Sequence, residues 1–91
     1  MILIGIQGAK GSFSEQAAIK FTDNHGIKDF NIKYLISSES VLNNVENSAI
    51  DYGIFAMENA QGGVVIESVE ALANHRCEII EMFQIPIEQN L

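Results

Sequence analysis

The stretch Tyr52-Gly53-Ile54-Phe55-Ala56-Met57-Glu58-Asn59-Ala60-Gln61-Gly62-Gly63-Val64-Val65 reads as an apolar strand that delivers Glu58 and Asn59 onto a Gly-rich turn opening a helix. In an open α/β sheet such a juncture faces the crevice outside the carboxyl ends of the strands, where free N–H groups of the next helix favour anionic ligands. The same arrangement occurs near the start of the chain. There Ile2 to Ile6 runs into Gln7-Gly8-Ala9-Lys10-Gly11-Ser12, and Ser12-Phe13-Ser14-Glu15 carries the Ser-x-x-Glu signature of a capped helix start.

Outward from these junctures, runs rich in Ile, Val, Phe and Tyr predict four strands, at about Ile2 to Gln7, Phe30 to Ile36, Tyr52 to Met57, and Glu78 to Phe83 with a continuation past Pro86. Three helices are predicted between them. The first, about Ser14 to Asn24, buries Ala17, Ala18 and Phe21, with Phe13 stapling its start and His25-Gly26 ending it. The second, about Ser38 to Ser48, is capped by Ser37 or Ser38 and buries Val41, Leu42 and Val45. The third, about Gly63 to Asn74, buries Val65, Val69, Leu72 and Ala73. Alternating strands and helices with short connections imply an α/β fold, a three-layer, mainly parallel four-stranded sheet with helices packed on it, in a single domain of residues 1–91. If the first strand lies between the second and third, Gly8 to Ser14 stands opposite Glu58 to Gly63 in one crevice.

Composition narrows the function. Twelve acidic against five basic residues leave a net charge of −7, which argues against nucleic acid and against an anionic membrane surface. No apolar run approaches a membrane span, and Met-Ile-Leu-Ile-Gly lacks the basic flank of a secretion signal, so the expected location is cytoplasmic. An apolar fraction of 47% in 91 residues points to apolar surface buried against a partner subunit, with a homodimer the simplest case. Cys77 is the sole cysteine, leaving no internal disulfide, and reads as an ordinary half-buried thiol. His25 and His75 read as solvated helix-end residues, no metal is expected, and Glu46, Glu67, Glu70, Glu78 and Glu88 read as solvated faces.

Each candidate site residue has two readings. Glu58, at the end of an apolar strand, is either an acid or base facing a ligand or a brace for the adjacent turn. Asn59 suits either a substrate carboxylate or the first N–H groups of the helix beginning at Gly63. Gly62 and Gly63, like Gly8, Gly11 and Ser12, either admit a ligand to the backbone or simply make a sharp turn. No Gly-Lys-Ser/Thr follows at P-loop spacing, so a nucleotide is not expected.

Gly8-Ala9-Lys10-Gly11-Ser12-Phe13-Ser14-Glu15-Gln16-Ala17-Ala18 resembles the G-P-x-G-(T/S)-(F/Y)-(S/T)-x-x-A-A opening of prephenate dehydratases. Gly53 to Leu72 is similar to that family's G-(V/I)-x-P-(I/L)-E-N-S-x-x-G-S-V-x-x-(T/S)-x-(D/E)-x-L stretch, and Ile85-Pro86-Ile87-Glu88-Gln89-Asn90-Leu91 to its P-I-x-x-x-L segment. The resemblance implies one lobe of a two-lobed, periplasmic-binding-protein-like catalytic domain. It also implies a lyase of L-phenylalanine biosynthesis that turns prephenate into phenylpyruvate without a cofactor. Carried onto this chain, it makes Glu58 catalytic and gives Gly8, Gly11, Ser12, Phe13, Ser14, Asn59, Gly62 and Gly63 to a small carboxylated, aromatic-pathway ligand. The family's Thr-Arg-Phe motif, on the second lobe, and its phenylalanine-binding ACT domain do not occur within these 91 residues, and two hydroxyl positions are filled by Ala60 and Gly63. The expectation is a lobe that does not catalyse alone and works with a chain supplying the second lobe, or a non-catalytic binding or homodimeric interaction module.

Overall fold

Six consecutive residues, Ile2–Gln7, form the central strand β1, because alternate side chains there serve two different helical layers. Elements are set out here from a computed structural model that describes residues 1–57 and 63–82. After β1 come α1 (Phe13–Asn24), β2 (Phe30–Leu35), α2 (Ser38–Glu46), β3 (Tyr52–Ile54) and α3 (Ile66–Asn74). The strands make a parallel three-stranded sheet in the order β2-β1-β3. Ile4 is registered between Ile32 and Tyr52, and Gly5 pairs with Gly53. The central place of β1 is the order expected from the sequence.

On one face, Ile4 and Ile6 are fully buried with Ala18 of α1, and Ile2, Phe30, Ile32, Tyr52 and Ile54 pack around them. Phe21 of α1 meets Tyr52 edge-on at 5.2 Å, adding an aromatic contact to the area it buries. The opposite face carries glycine at the centre of both β1 and β3. A Cβ on Gly53 would stand 2.5 Å from Val41 Cγ1 and 2.9 Å from Val45 Cγ2, and one on Gly5 would stand 2.5 Å from Ile50 Cδ1. Side chains of α2 and its following loop therefore fill the space that strand side chains would otherwise take.

The helix starts differ in how they are secured. Ser12 caps α1 by accepting from Glu15 N–H, and Ser37 caps α2 by accepting from Ser40 N–H. The N-cap of α3 is Val65, without a side-chain bond, so this helix begins three residues later than Gly63. His25 ends α1 and Gly26 follows at φ 67, the left-handed turn its glycine favours.

Several expectations are corrected. Glu78 to Met82 form no strand, and Phe83 and the continuation past Pro86 lie outside the described residues. Its neighbours explain this: Cys77 Sγ donates to Leu42 O on α2, whereas Glu81 bonds His25 at the end of α1, so the segment passes between layers. Strand β3 stops at Ile54 rather than Met57, where its register with β1 ends. Ile6 is the last residue of β1 registered with β3, and Gly8 turns away at φ 141 with its N–H on Leu35 O. The buried residues of α3 are Ser68 and Ala71, with Val65 and Leu72 half-buried, while Val69 and Ala73 face outward. Val45 is half-buried, and Phe13, the first helical residue, is 53% exposed rather than folded in as a staple.

Candidate functional site

Strands β1 and β3 are parallel neighbours, so their carboxyl ends open on the same edge of the sheet. The first juncture there is built from local bonds. Gly8 N–H reaches Leu35 O at 3.0 Å, and Ser12 N–H closes the turn on Ala9 O at 3.2 Å. Gly8 and Gly11 take φ of 141° and 88°, and a Cβ on Gly8 would lie 2.8 Å from Ser12 Oγ. Glycine is needed at both positions for conformation and at Gly8 for room as well.

Ser12 Oγ accepts from Glu15 N–H at 3.3 Å, and Ser12 O accepts from Gln16 N–H at 3.2 Å. The N–H groups of Phe13 and Ser14 have no carbonyl behind them in the helix, so α1 presents these two donors beside the half-buried Ser14 side chain. Such a helix start accepts an anion, and exposed Lys10 adds the only positive charge in the loop. Glu15 holds the loop from beneath. Its Oε1 accepts from Gly11 N–H at 3.0 Å, one residue beyond the usual capping-box partner, and its Oε2 accepts from the Tyr34 hydroxyl of β2. The Tyr34 and Gly11 bonds, with the Lys10 charge, keep the Glu15 carboxyl below the usual carboxylate range against slight desolvation. The same carboxylate, with slight desolvation, pushes the Tyr34 phenol up.

At the second juncture, Glu58, Asn59 and Gly62 lie outside the described residues, as does Ala60. Both flanks are defined. Met57 O accepts from Val65 N–H at 2.8 Å, and Ala56 O accepts from the Ser68 hydroxyl at 2.6 Å. Ser68 Oγ also lies 2.7 Å from Ser38 Oγ, both fully buried. Because the Ser68 proton is given to Ala56, the Ser38 hydroxyl must donate to Ser68. Glu67 completes the tie by accepting from Ser38 N–H at 3.0 Å, so the start of α2 is held by a carboxylate from α3. Gly63, exposed, stands just before this helix. Serines at the α2–α3 contact give the sequence no apolar signal, so this network is not legible there.

Other expected roles change as well. His75 is 11% exposed and sits between two carboxylates of α2, with Nδ1 on Glu46 and Nε2 3.6 Å from Glu39. The His25 ring packs against Phe21 at a tilt, with centroids 4.5 Å apart, and bonds Glu81 at 2.7 Å. Neither is simply solvated, and Glu46 and Glu67 are engaged rather than free faces; Glu88 lies outside the described residues. Cys77 is half-buried, and burial together with Glu46 pushes its thiol up, away from nucleophilic use. Among the described residues no group of three or more His, Cys, Asp or Glu side chains is placed to hold a metal ion, and no helix is long and apolar enough to cross a membrane.

The family model for prephenate dehydratase matches residues 4–91. The chain belongs to the prephenate dehydratase family. No curated protein and no solved structure matches it. The match is to part of the prephenate dehydratase domain. Counted forward from Glu58, the family pattern quoted above sets its Gly-Ser-Val on Gly63-Val64-Val65 and its Thr/Ser on Ser68. The second replaced hydroxyl is thus at Val64 rather than Gly63. The pattern's later hydroxyl survives as the buried Ser68 that anchors Ala56.

Proposed function

We propose that this chain forms one wall of a prephenate-binding cleft and takes part in converting prephenate to phenylpyruvate in L-phenylalanine biosynthesis, with a second lobe completing the site. The observation that carries this reading is the β2-β1-β3 order, which sets the Gly8–Ser14 juncture beside the strand leading to Glu58. In this reading the N–H groups of Phe13 and Ser14 and the side chains of Ser12 and Ser14 hold a substrate carboxylate, and Asn59, Gly62 and Gly63 face it. Decarboxylation supplies the electron pair that expels hydroxide, and Glu58, as general acid, delivers the proton that makes it water. The lobe works in the cytoplasm without a cofactor.

A lone wall lacks the donors of the opposite lobe, and losing even one preorganised donor costs about 100-fold to 1000-fold in rate. The isolated chain is therefore expected to bind prephenate without appreciable turnover. The test is phenylpyruvate formation and calorimetric binding of prephenate by the purified chain, with Glu58→Gln as control and mass measured by light scattering. Turnover that vanishes in Glu58→Gln would make one lobe, self-associated, sufficient. An absence of prephenate binding by the folded chain would overturn the reading.

A second reading, a homodimeric interaction module, is supported by the outer face of α3. Ile66 is 67% and Val69 44% exposed, one turn apart, with Ala73 continuing the stripe. Val69→Lys is expected to convert a dimer to a monomer in light scattering; an unchanged mass would rule out this face.

A further inference from the structure

Tyr34 lies on the edge strand β2, away from every residue given a ligand role above, yet its hydroxyl reaches the first turn of α1. Glu15 connects it to the loop. One carboxylate oxygen accepts a hydrogen bond from the Tyr34 hydroxyl and the other accepts from Gly11 N–H at 3.0 Å, so each oxygen of Glu15 has a donor within the fold. With both oxygens engaged, Glu15 orients the loop and does not itself supply a ligand contact.

Two anchors restrain the loop at opposite ends. Gly8 N–H is held by Leu35 O, and Gly11 N–H by Glu15, leaving Ala9 and Lys10 as the exposed tip. Both anchors lead back to β2, through adjacent residues Tyr34 and Leu35. Gly11 has φ 88 and no atom within 4 Å of its would-be Cβ, so packing does not fix it; its hydrogen bond does. The neighbouring Ser12 ends this turn and begins α1, where Phe13 and Ser14 present their N–H groups.

We infer that Tyr34 and Glu15 are positioning residues that set the Gly8–Ser12 loop, and with it the donors of Phe13 and Ser14, for an anionic ligand. The ligand part of this inference rests on the prephenate reading above; the loop part does not. An unlinked Glu15 would leave Gly11 free to rotate, and a ligand would then have to order the turn on binding. A hydrogen bond to a charged group is worth about tenfold in an equilibrium, so removing the Tyr34 hydroxyl is expected to weaken the ligand by up to about that factor.

The experiment compares the full chain with Tyr34→Phe and Glu15→Gln. Tyr34 is 44% exposed, so loss of its hydroxyl leaves the core unchanged. Amide hydrogen exchange is read at Gly11, with Ile4 and Ile6 of β1 as internal references, the Glu15 carboxylate is titrated by carbon NMR, and prephenate binding is measured by calorimetry. Tyr34→Phe is expected to speed exchange at Gly11 but not at Ile4 or Ile6, to raise the Glu15 midpoint, and to weaken prephenate by three- to tenfold, about the worth of one such bond. Unchanged Gly11 exchange and an unchanged Glu15 midpoint would overturn the inference whatever the ligand does. A loosened loop with unaltered prephenate affinity would overturn its ligand part. If the unsubstituted chain binds no prephenate while Gly11 still responds to Tyr34→Phe, the proposed function fails and the positioning of the loop stands.

Discussion

The two junctures at the carboxyl edge of the sheet look alike in sequence but are held by opposite means. After β1, nearly every tie falls within residues 8–16: Ser12 to Glu15, Ser12 to Ala9, Gly11 to Glu15, with Tyr34 and Leu35 of β2 as outside support. After β3, the helix has no side-chain cap, and its first turn is fixed by Ser38 of α2, 29 and 30 positions away from Glu67 and Ser68. One is a local motif and the other a tertiary knot. A local motif keeps its shape while the rest of the molecule loosens, whereas a knot depends on the packing of both helices.

The strongest way to break this contrast is Ser68→Ala, which strands a buried Ser38 hydroxyl and the Ala56 carbonyl together. The expected loss is about 2 to 3 kcal/mol. For a domain of this size that lowers the melting temperature by roughly 10 °C or more, read by circular dichroism. A shift of only a degree or two would mean that the network is replaced by water and that the second juncture is less dependent on α2 than argued.

Gly8→Ala should come next, at about 1 to 2 kcal/mol, because it combines an unfavourable backbone angle with a Cβ 2.8 Å from Ser12 Oγ. Unlike Ser68→Ala, it should leave the α2–α3 contact intact, so exchange of the Ser38 amide is the check. Ser12→Ala removes one cap bond and is expected to cost about 1 kcal/mol, confined to the first turn of α1. Denaturant unfolding should show a lower midpoint with an unchanged slope; a changed slope would show that the motif is not local.

The smallest effect is electrostatic. The Tyr34 and Gly11 bonds hold the folded-state pKa of Glu15 below the ordinary carboxylate value, so its contribution is present above the ordinary carboxylate range and is lost as pH falls through the depressed folded value. Tyr34 has the opposite sign: its raised value means that the bond is kept below the ordinary phenol range and lost as pH rises through the folded value. The stability gap between the chain and Glu15→Gln should therefore close at both acidic and alkaline extremes. A gap that persists in strong acid would remove the charge from the explanation.

The local juncture was legible because its signals are local. Ser-x-x-Glu reported the cap, two glycines reported the turn, and Ile2 to Gln7 matched β1 residue for residue. The knot was not legible for the same reason. Periodicity ranked Val69 and Ala73 as buried and passed over Ser68, since a hydroxyl reads as surface until its partner on another helix is known. Strand β3 ends at Ile54, where its register with β1 ends, a limit that lies in the pairing and not in Phe55 to Met57. Glu78 to Met82 form no strand because His25 and Leu42, both distant in sequence, draw Glu81 and Cys77 to different layers. Glu58, the general acid of the proposed function, is singled out in the sequence by the apolar run before it and by the family pattern, and the flanks of its juncture at Met57 and Val65 are defined.

The bare centre of the sheet has a further consequence. Since Val41 and Val45 fill the space over Gly53, volume at the strand and volume on the helix are one shared quantity, free to be redistributed but not enlarged. Gly53→Ala alone should overfill the layer, because a β-branched valine has few alternative rotamers with which to yield. Paired with Val41→Ala, the same methyl would exchange sides. The route by which this chain tolerates change at its centre is thus a trade between two residues twelve positions apart, and neither can drift by itself.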